Sequence, residues 1–124
     1  MGEFFFVALG GAIGSGARYI VSVFVDRWLQ RSFPFGTFAV NVLGSLLLGA
    51  LIEYFIAHKS HHPGLRLALT TGLMGGFTTY STFNYETLHL TGEGAYGVAA
   101  LYVAATLVAC LVGGAIGIQL GRLF

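Results

Sequence analysis

The stretch Gly72-Leu-Met-Gly-Gly-Phe-Thr-Thr-Tyr-Ser-Thr-Phe83 lies inside an uncharged segment, residues 67–85. Paired glycines followed by β-branched and hydroxyl residues are poor helix formers. Non-helical backbone survives at membrane depth only where it is buried in protein or faces a cavity, so we predict a helix broken near the membrane centre. Such a break frees carbonyl oxygens for a cation, and its second half begins with N–H groups suited to an anion. The alternative is a continuous helix whose Ser and Thr hydroxyls bond back to their own carbonyls.

The composition of the whole chain indicates a membrane protein. Of its 124 residues, 56% are hydrophobic and 9% are charged, and the mean hydropathy is +0.79, whereas a soluble domain carries about 25% charged residues. The charges leave four uncharged windows, at residues 4–17, 32–52, 67–85 and 94–121. A net charge of +1 provides no basic field for nucleic acid. These numbers exclude a soluble enzyme, a secreted disulfide scaffold and an ordinary nucleic-acid binder.

Each uncharged window marks a segment that can supply the roughly 20 apolar residues a helix needs to cross a bilayer. We therefore predict an all-α membrane protein whose four transmembrane helices form a single domain over residues 1–124. The predicted spans are Phe4–Val25, Pro34–Ala57, Leu65–Leu90 and Gly94–Leu120. The short links between them leave no room for a domain outside the membrane.

Positive charges in the links favour neither orientation. With the N-terminus inside, Lys59, Arg66 and Arg122 lie on the inner side, and Arg27 and Arg31 lie on the outer side. An excess of Lys and Arg sets the topology of short loops, and here the count is three against two, or three against three with Arg18 in the outer set. The absence of a bias predicts insertion both ways up and an antiparallel (dual-topology) homodimer. The alternative is that a partner fixes one orientation.

Glycines at four-residue spacing follow two of the spans. Small residues at this spacing let helix backbones approach closely in lipid, and their number favours association between chains. Tight packing within one chain is the alternative. The glycines concerned are Gly10 and Gly14 in span one, and Gly113, Gly117 and Gly121 in span four.

Two stripes of uncharged hydrogen-bonding groups run along spans two and four, each on one helical face because its members are four residues apart. The stripes are Thr37, Asn41 and Ser45 in span two, and Tyr102, Thr106 and Cys110 in span four. A polar group inside a span needs a partner or a water-lined route. A single Asn most often joins helices, but two parallel stripes that donate hydrogen bonds without fixed charge favour a lined pathway.

Four further side chains are candidates for the site. Tyr80 and Phe83 are three residues apart after the predicted break, where electropositive ring edges can approach an anion; core packing is the alternative. Glu86 is expected in a vestibule or a hydrogen-bond network, and Arg18 is expected to snorkel near one end of span one or to pair with an acid.

No Ser/His/Asp arrangement, phosphate-cradling loop or nucleotide fingerprint occurs, so we predict that the chain is not an enzyme.

Three motifs carry a resemblance to a known family. They are Gly10-Gly-Ala-Ile-Gly-Ser-Gly-Ala-Arg-Tyr19, Phe35-Gly-Thr-Phe-Ala-Val-Asn-Val-Leu-Gly44 and Gly72-Leu-Met-Gly-Gly-Phe-Thr-Thr-Tyr-Ser-Thr-Phe-Asn-Tyr-Glu86. Together they resemble the first three helices of the Fluc/CrcB family of bacterial fluoride channels, and the likeness runs along nearly the whole chain. The resemblance implies a fluoride-selective channel in the cell inner (plasma) membrane that exports fluoride passively.

The resemblance also implies an assembly and a set of site residues. It implies an antiparallel homodimer with two fluoride pathways, each lined by both chains, and a structural Na+ at the two-fold axis held by the carbonyls of Gly75 and Thr78. The family's paired phenylalanines correspond to Tyr80 and Phe83, where the tyrosine departs from the family pattern. Its other pathway groups correspond to the Asn41 amide, the Ser81 and Thr82 hydroxyls, and Tyr102, Thr106 and Cys110 on the fourth helix.

Two other functions are alternatives. A small proton-coupled multidrug transporter is also a weakly biased dimer of four-span chains, but it needs a carboxylate buried at mid-membrane. Span one offers Arg18 and no acid beyond Glu3, and Glu53 and Glu86 lie off-centre in their spans. The third possibility is a structural membrane partner that conducts nothing. Fluoride-selective release from vesicles separates a channel from both.

Overall fold

Every regular element is helical in residues 1–29, 32–59 and 62–124, the part of the chain that this computed structural model describes. Three long helices dominate: α1 (Gly2–Trp28), α2 (Phe35–Ala57) and α6 (Tyr96–Leu123). By length and composition, each of the three is apolar enough to cross a membrane. Their bounds fall within a few residues of the predicted first, second and fourth spans. Arg31, one of the two predicted outer charges, lies outside the described residues.

The third predicted span is a series of shorter helical pieces. It consists of α3 (Pro63–Leu67), a π-helix (Ala68–Met74), α4 (Gly75–Phe77) and α5 (Tyr80–Gly92). Between α4 and α5, Thr78 (φ −84°, ψ 158°) and Thr79 (φ −151°, ψ 115°) are extended. The predicted break is thereby confirmed, and the continuous-helix alternative is wrong.

Two threonine hydroxyls at the break form hydrogen bonds with the helical halves, one at the end of the first half and one at the start of the second. Thr78 bonds back to the first half, since both its N–H (3.0 Å) and its Oγ1 (2.9 Å) donate to the Met74 carbonyl. Thr79 is the N-cap of α5, and its Oγ1 accepts a hydrogen bond from the Thr82 N–H at 3.2 Å. Threonine suits this position because its side chain satisfies an N–H that the first helical turn leaves free. The hydroxyl-to-carbonyl hydrogen bond expected within a continuous helix is therefore present at Thr78, where the first helical half ends.

Close backbone contacts hold the helices together. A Cβ on Gly14 of α1 would overlap the Leu73 carbonyl of the π-helix, and a Cβ on Gly117 of α6 would overlap the Leu46 carbonyl of α2. Comparable approaches join Gly10 to Ala68 and Gly121 to Ala50. These four glycines pack inside one chain, so the expectation that they favour association between chains is wrong for them.

The hydrophobic core lies where α1 and α2 meet the broken segment. Val40 is fully buried there, with Met74 and Phe77 at 4% and 7% exposure. A close approach also brings α2 to the break, because a Cβ on Gly44 would overlap the Thr78 Cγ2 methyl. This packing sets the polar face of α2 directly against the interrupted backbone.

Candidate functional site

The Asn41 side chain joins α2 to the break. Its Nδ2 donates to the Thr79 carbonyl at 3.0 Å, and its Oδ1 accepts from the Thr79 N–H at 2.8 Å. The amide thus satisfies both backbone groups of a residue that is 8% exposed, where an unpaired group would be costly. A primary amide carries two N–H donors, so one remains for a ligand.

The Thr79 hydroxyl lies within hydrogen-bonding distance of two hydroxyls of the next helical turn. Its Oγ1 donates to the Thr82 Oγ1 at 3.0 Å and lies 3.4 Å from the Ser81 Oγ. The structure thereby brings the predicted Ser81 and Thr82 together around a residue that the sequence reasoning missed. The signal that could have identified Thr79 is its residue type, because threonine is a favoured N-cap and this one follows a glycine pair and precedes a helical stretch.

A cavity of about 460 Å³ lies beside the break; we call it the break cavity. Both predicted stripes reach it, with Asn41 and Ser45 from α2 and Thr106 and Cys110 from α6. The break contributes Thr78, Thr79, Tyr80 and Phe83. None of the described residues that line this cavity is charged. The arrangement therefore offers hydroxyl, amide and thiol groups, together with ring edges, to a guest without a fixed charge.

Aromatic rings connect the break cavity to the interior of the chain. The centroids of Tyr80 and Phe83 are 5.8 Å apart, and Phe83 meets Tyr102 edge to face at 5.0 Å. Tyr80 is 78% exposed, whereas Tyr102 is fully buried. Phe83 therefore lies between an open ring and a buried one, and the two predicted aromatic residues do not share one environment.

The Glu86 carboxylate is a second polar centre. The Thr37 Oγ1 donates to its Oε1, and the Tyr102 hydroxyl donates to its Oε2, each at 2.7 Å. Both donors are buried, so the hydroxyl hydrogens of Thr37 and Tyr102 are committed to this carboxylate. Of the two roles expected for Glu86, the hydrogen-bond network is present, and the residue also borders a second cavity.

This second cavity, of about 510 Å³, has a charged lining; we call it the mouth cavity. Asp26 and Arg27 border it from α1, and Glu86, His89 and Glu93 border it from α5. The His89 Nε2 lies 3.4 Å from the Glu93 Oε1. The Glu86 carboxylate thus belongs to the charged lining of the mouth cavity, whereas the described lining of the break cavity is neutral.

The two residues expected to bind a cation line a third cavity, of about 680 Å³, on the other side of the break. Gly75 begins α4 and Thr78 follows its end, so one helical turn separates them. Gly75 is exposed, and a Cβ there would meet nothing within 4 Å. Arg66 lies at the same cavity. Backbone carbonyl oxygen, which both residues contain, is a donor type that hard cations prefer.

Arg18 stands apart from these cavities. It is partly buried well inside α1, and its carbonyl accepts a hydrogen bond from the Ser22 Oγ at 2.7 Å. Within the described ranges its guanidinium forms no ion pair. The acid pairing that was one of its two expected states is therefore absent from this part of the chain.

Comparison with known proteins shows a likeness along the whole chain. A family model described as "CrcB-like protein, Camphor Resistance (CrcB)" matches residues 5–118. The fluoride-specific ion channel FluC of Anaeromyxobacter sp. strain K is 50% identical over 112 residues, which are 90% of this chain and 89% of the relative. The proteins of the same name from Sorangium cellulosum and Citrifermentans bemidjiense are 45% and 42% identical over 122 residues, 98% of this chain and 96% and 98% of those relatives.

Proposed function

The chain belongs to the CrcB-like protein family, and from this premise we propose that it is a fluoride-selective ion channel that exports fluoride passively across the membrane. Relatives that match nearly their full length carry the name fluoride-specific ion channel. The family identity also confirms the expectation that the chain is not an enzyme. We assign it to the cell inner (plasma) membrane, with fluoride, Na+, lipid and a second copy of itself as its partners.

The break cavity is the observation that carries this proposal. A selective pore must replace the water around an ion with groups of its own, and it must still release that ion. The described lining supplies Asn41, Thr106 and the ring edge of Phe83, and no fixed charge that would trap an anion. We infer that fluoride moves between such uncharged donors, with Tyr80, Ser81 and Thr82 beside the break as further donors.

In this proposal, the Glu86 carboxylate and its two hydroxyl donors lie at the other end of the fluoride route. Phe83 lines the break cavity and packs against Tyr102, whose hydroxyl donates to Glu86, so these two rings link the cavity to the carboxylate. Because the Thr37 and Tyr102 hydroxyls already donate to Glu86, an arriving fluoride competes with the carboxylate for the same hydrogens. This competition keeps fluoride binding weak there, as rapid release requires.

The broken segment supports a fourth membrane crossing. Its halves, Pro63–Phe77 and Tyr80–Gly92, are each too short to cross a bilayer alone, but a crossing needs roughly 20 residues and the two together exceed that. We propose that they cross as one interrupted span. Extended backbone at that depth needs protein or a cavity around it, and a second, inverted chain over the exposed Tyr80 and Gly75 meets this need.

The proposed antiparallel dimer would contain two pores and one structural Na+. The carbonyls of Gly75 and Thr78 of both chains would hold the ion at the interface, where their open cavity gives them room. When bound, Na+ would offset part of the cost of burying an anion nearby. The Thr78 N–H still donates to the Met74 carbonyl, but the extended conformation at Thr78 ends the first helical half. In the proposal, the carbonyl of Thr78 is thereby left to a cation.

The test is ion release from vesicles that contain the purified protein. A fluoride electrode should record rapid release once a potassium ionophore lets K+ leave with the anion, and a chloride electrode should record almost none under the same conditions. Equal release of the two halides would contradict selectivity, and no release would favour a non-conducting structural partner. The multidrug transporter alternative is not favoured, since Glu86 is held by two donors and Glu53 by Arg122 at 3.1 Å.

A further inference from the structure

Cys110 is the one thiol of the chain, and it faces the break cavity from α6. It is partly buried and is not oxidised to a disulfide. Thr106, one helical turn earlier, lines the same cavity. A cysteine and a threonine thus lie on one helical face, and both residues border a space of about 460 Å³.

The Thr106 hydroxyl has no hydrogen-bond partner among the described residues, although the side chain is only 7% exposed. Other hydroxyls in these helices bond back to the carbonyl four residues earlier: Ser45 to Asn41 at 2.7 Å and Thr87 to Phe83 at 2.8 Å. A buried polar group without a partner is uncommon and calls for an explanation. A guest in the break cavity that accepts a hydrogen bond would supply the missing partner.

We propose that Cys110 and Thr106 form a binding site for a soft monovalent metal ion, for which Ag+ is the probe. Thiolate sulfur prefers soft ions, and the lining found in the described part of the chain contains no carboxylate that would attract hard ions instead. The Cys110 thiol gives its proton to water as the sulfur–silver bond forms, and no electron is transferred. A water molecule serves as the second ligand of the ion and accepts a hydrogen bond from the Thr106 hydroxyl.

The break cavity has room for this arrangement. A water molecule occupies about 30 Å³ in the liquid, which is a small part of the cavity volume. A metal ion held there lies beside Asn41 and Phe83, which border the same space. The bound ion therefore obstructs the proposed fluoride route, and this consequence rests on the proposed function, whereas the binding itself does not.

Two measurements test the site. In the first, the purified protein in detergent and nitrate buffer reacts with N-ethylmaleimide, and Ag+ should protect the thiol against it. In the second, Ag+ should abolish most fluoride release from vesicles prepared without chloride, and excess dithiothreitol should restore it. Thr106→Val should raise the Ag+ concentration needed for protection, because the second ligand loses its hydrogen bond.

Matched variants separate the site from general effects of silver. In Cys110→Ser, or in Cys110→Ala if the serine variant does not fold, fluoride release relative to the same variant without silver should become insensitive to Ag+. Val112→Cys in the Cys110→Ser background moves the thiol to a residue that is 53% exposed and outside the break cavity; silver should bind there without blocking release.

Different outcomes count against different claims. A thiol that Ag+ leaves unprotected, or a block that survives Cys110→Ser, would overturn the metal site. Vesicles that release no fluoride even without silver would overturn the proposed function, and the maleimide measurement would still decide the binding site. An unchanged silver requirement in Thr106→Val would remove Thr106 from the site.

Discussion

Asn41 forms hydrogen bonds with both backbone groups of Thr79, so its replacement should destabilise the break. In Asn41→Ala, the Thr79 N–H and carbonyl lose partners at 2.8 and 3.0 Å, and each buried unsatisfied group costs about 1–3 kcal/mol. We expect a lower unfolding temperature in detergent and loss of fluoride release from vesicles. Circular dichroism during heating measures the first effect, and a fluoride electrode measures the second.

Ser45→Ala is the matched control on the same helical face. The Ser45 hydroxyl donates within its own helix, to the Asn41 carbonyl at 2.7 Å, so its removal breaks no tie between α2 and the break. Its unfolding temperature should stay near that of the unsubstituted chain. If the two variants unfolded at the same temperature, the Asn41 amide would not be what holds the break.

Phe83 is the aromatic residue that lies between the open Tyr80 ring and the buried Tyr102 ring. Phe83→Ile keeps an apolar side chain of similar bulk but removes the electropositive ring edge, which is the feature suited to an anion. We expect a folded dimer with strongly reduced fluoride release. Fluoride efflux from vesicles, together with size-exclusion chromatography as the check on assembly, measures both.

The control for this variant is Tyr80→Phe, which keeps a ring and removes only the hydroxyl. Release that persists in Tyr80→Phe and fails in Phe83→Ile would assign the effect to the ring at position 83. Unchanged release in Phe83→Ile would take Phe83 out of the pathway, whatever the behaviour of Tyr80→Phe.

At the level of the helices, Gly14 allows α1 to lie directly on the π-helix. A Cβ there would meet the backbone of Leu73 and Phe77, which cannot move aside as a side chain would, and overpacking costs about 1–3 kcal/mol. Gly14→Ala should therefore lower the unfolding temperature. Gly16→Ala adds the same methyl where nothing lies within 4 Å, and it should raise stability slightly, because alanine favours a helix by about 0.5–1 kcal/mol. Destabilisation of equal size in both variants would contradict this account.

The helices were predictable because the sequence marks them locally. Uncharged windows between clusters of charge fixed α1, α2 and α6 to within a few residues, and Gly75-Gly76 before Thr78-Thr79 predicted the interruption. The π-helix was not predictable. Nothing in Ala68–Met74 distinguishes it from an α-helical stretch, and its close contact with α1, whose Gly10 and Gly14 approach the carbonyls of Ala68 and Leu73, joins distant parts of the sequence.

The contacts of the site were less predictable than its members. Residue type and spacing identified Asn41, Thr37 and Glu86, but not that Asn41 bonds to Thr79 or that Thr37 bonds to Glu86. These partners are 38 and 49 residues apart in the chain. Pairings at such separations depend on how α2 packs on the broken segment, which single-sequence patterns do not contain.

For the whole molecule, we attribute the proposed insertion in two orientations to the balance of positive charges in the links. Lys59→Gln with Arg66→Gln leaves Arg122 against Arg27 and Arg31, one against two, and Arg27→Gln with Arg31→Gln leaves three against none. The side richer in Lys and Arg stays in the cytoplasm, so the two double variants should insert in opposite orientations. Each expressed alone should fail to form an antiparallel dimer and should release no fluoride.

Co-expression of the two double variants should restore fluoride release, because it supplies one chain of each orientation. Both chains keep their substitutions in the mixed dimer, so restored release also shows that the loss in each variant alone was not a local effect at Arg27, which borders the mouth cavity. Protease accessibility of a C-terminal tag in sealed vesicles measures orientation, and a fluoride electrode measures release. A double variant that inserts in one orientation and still conducts by itself would contradict the antiparallel assembly, since two parallel chains could not supply inverted copies of the break.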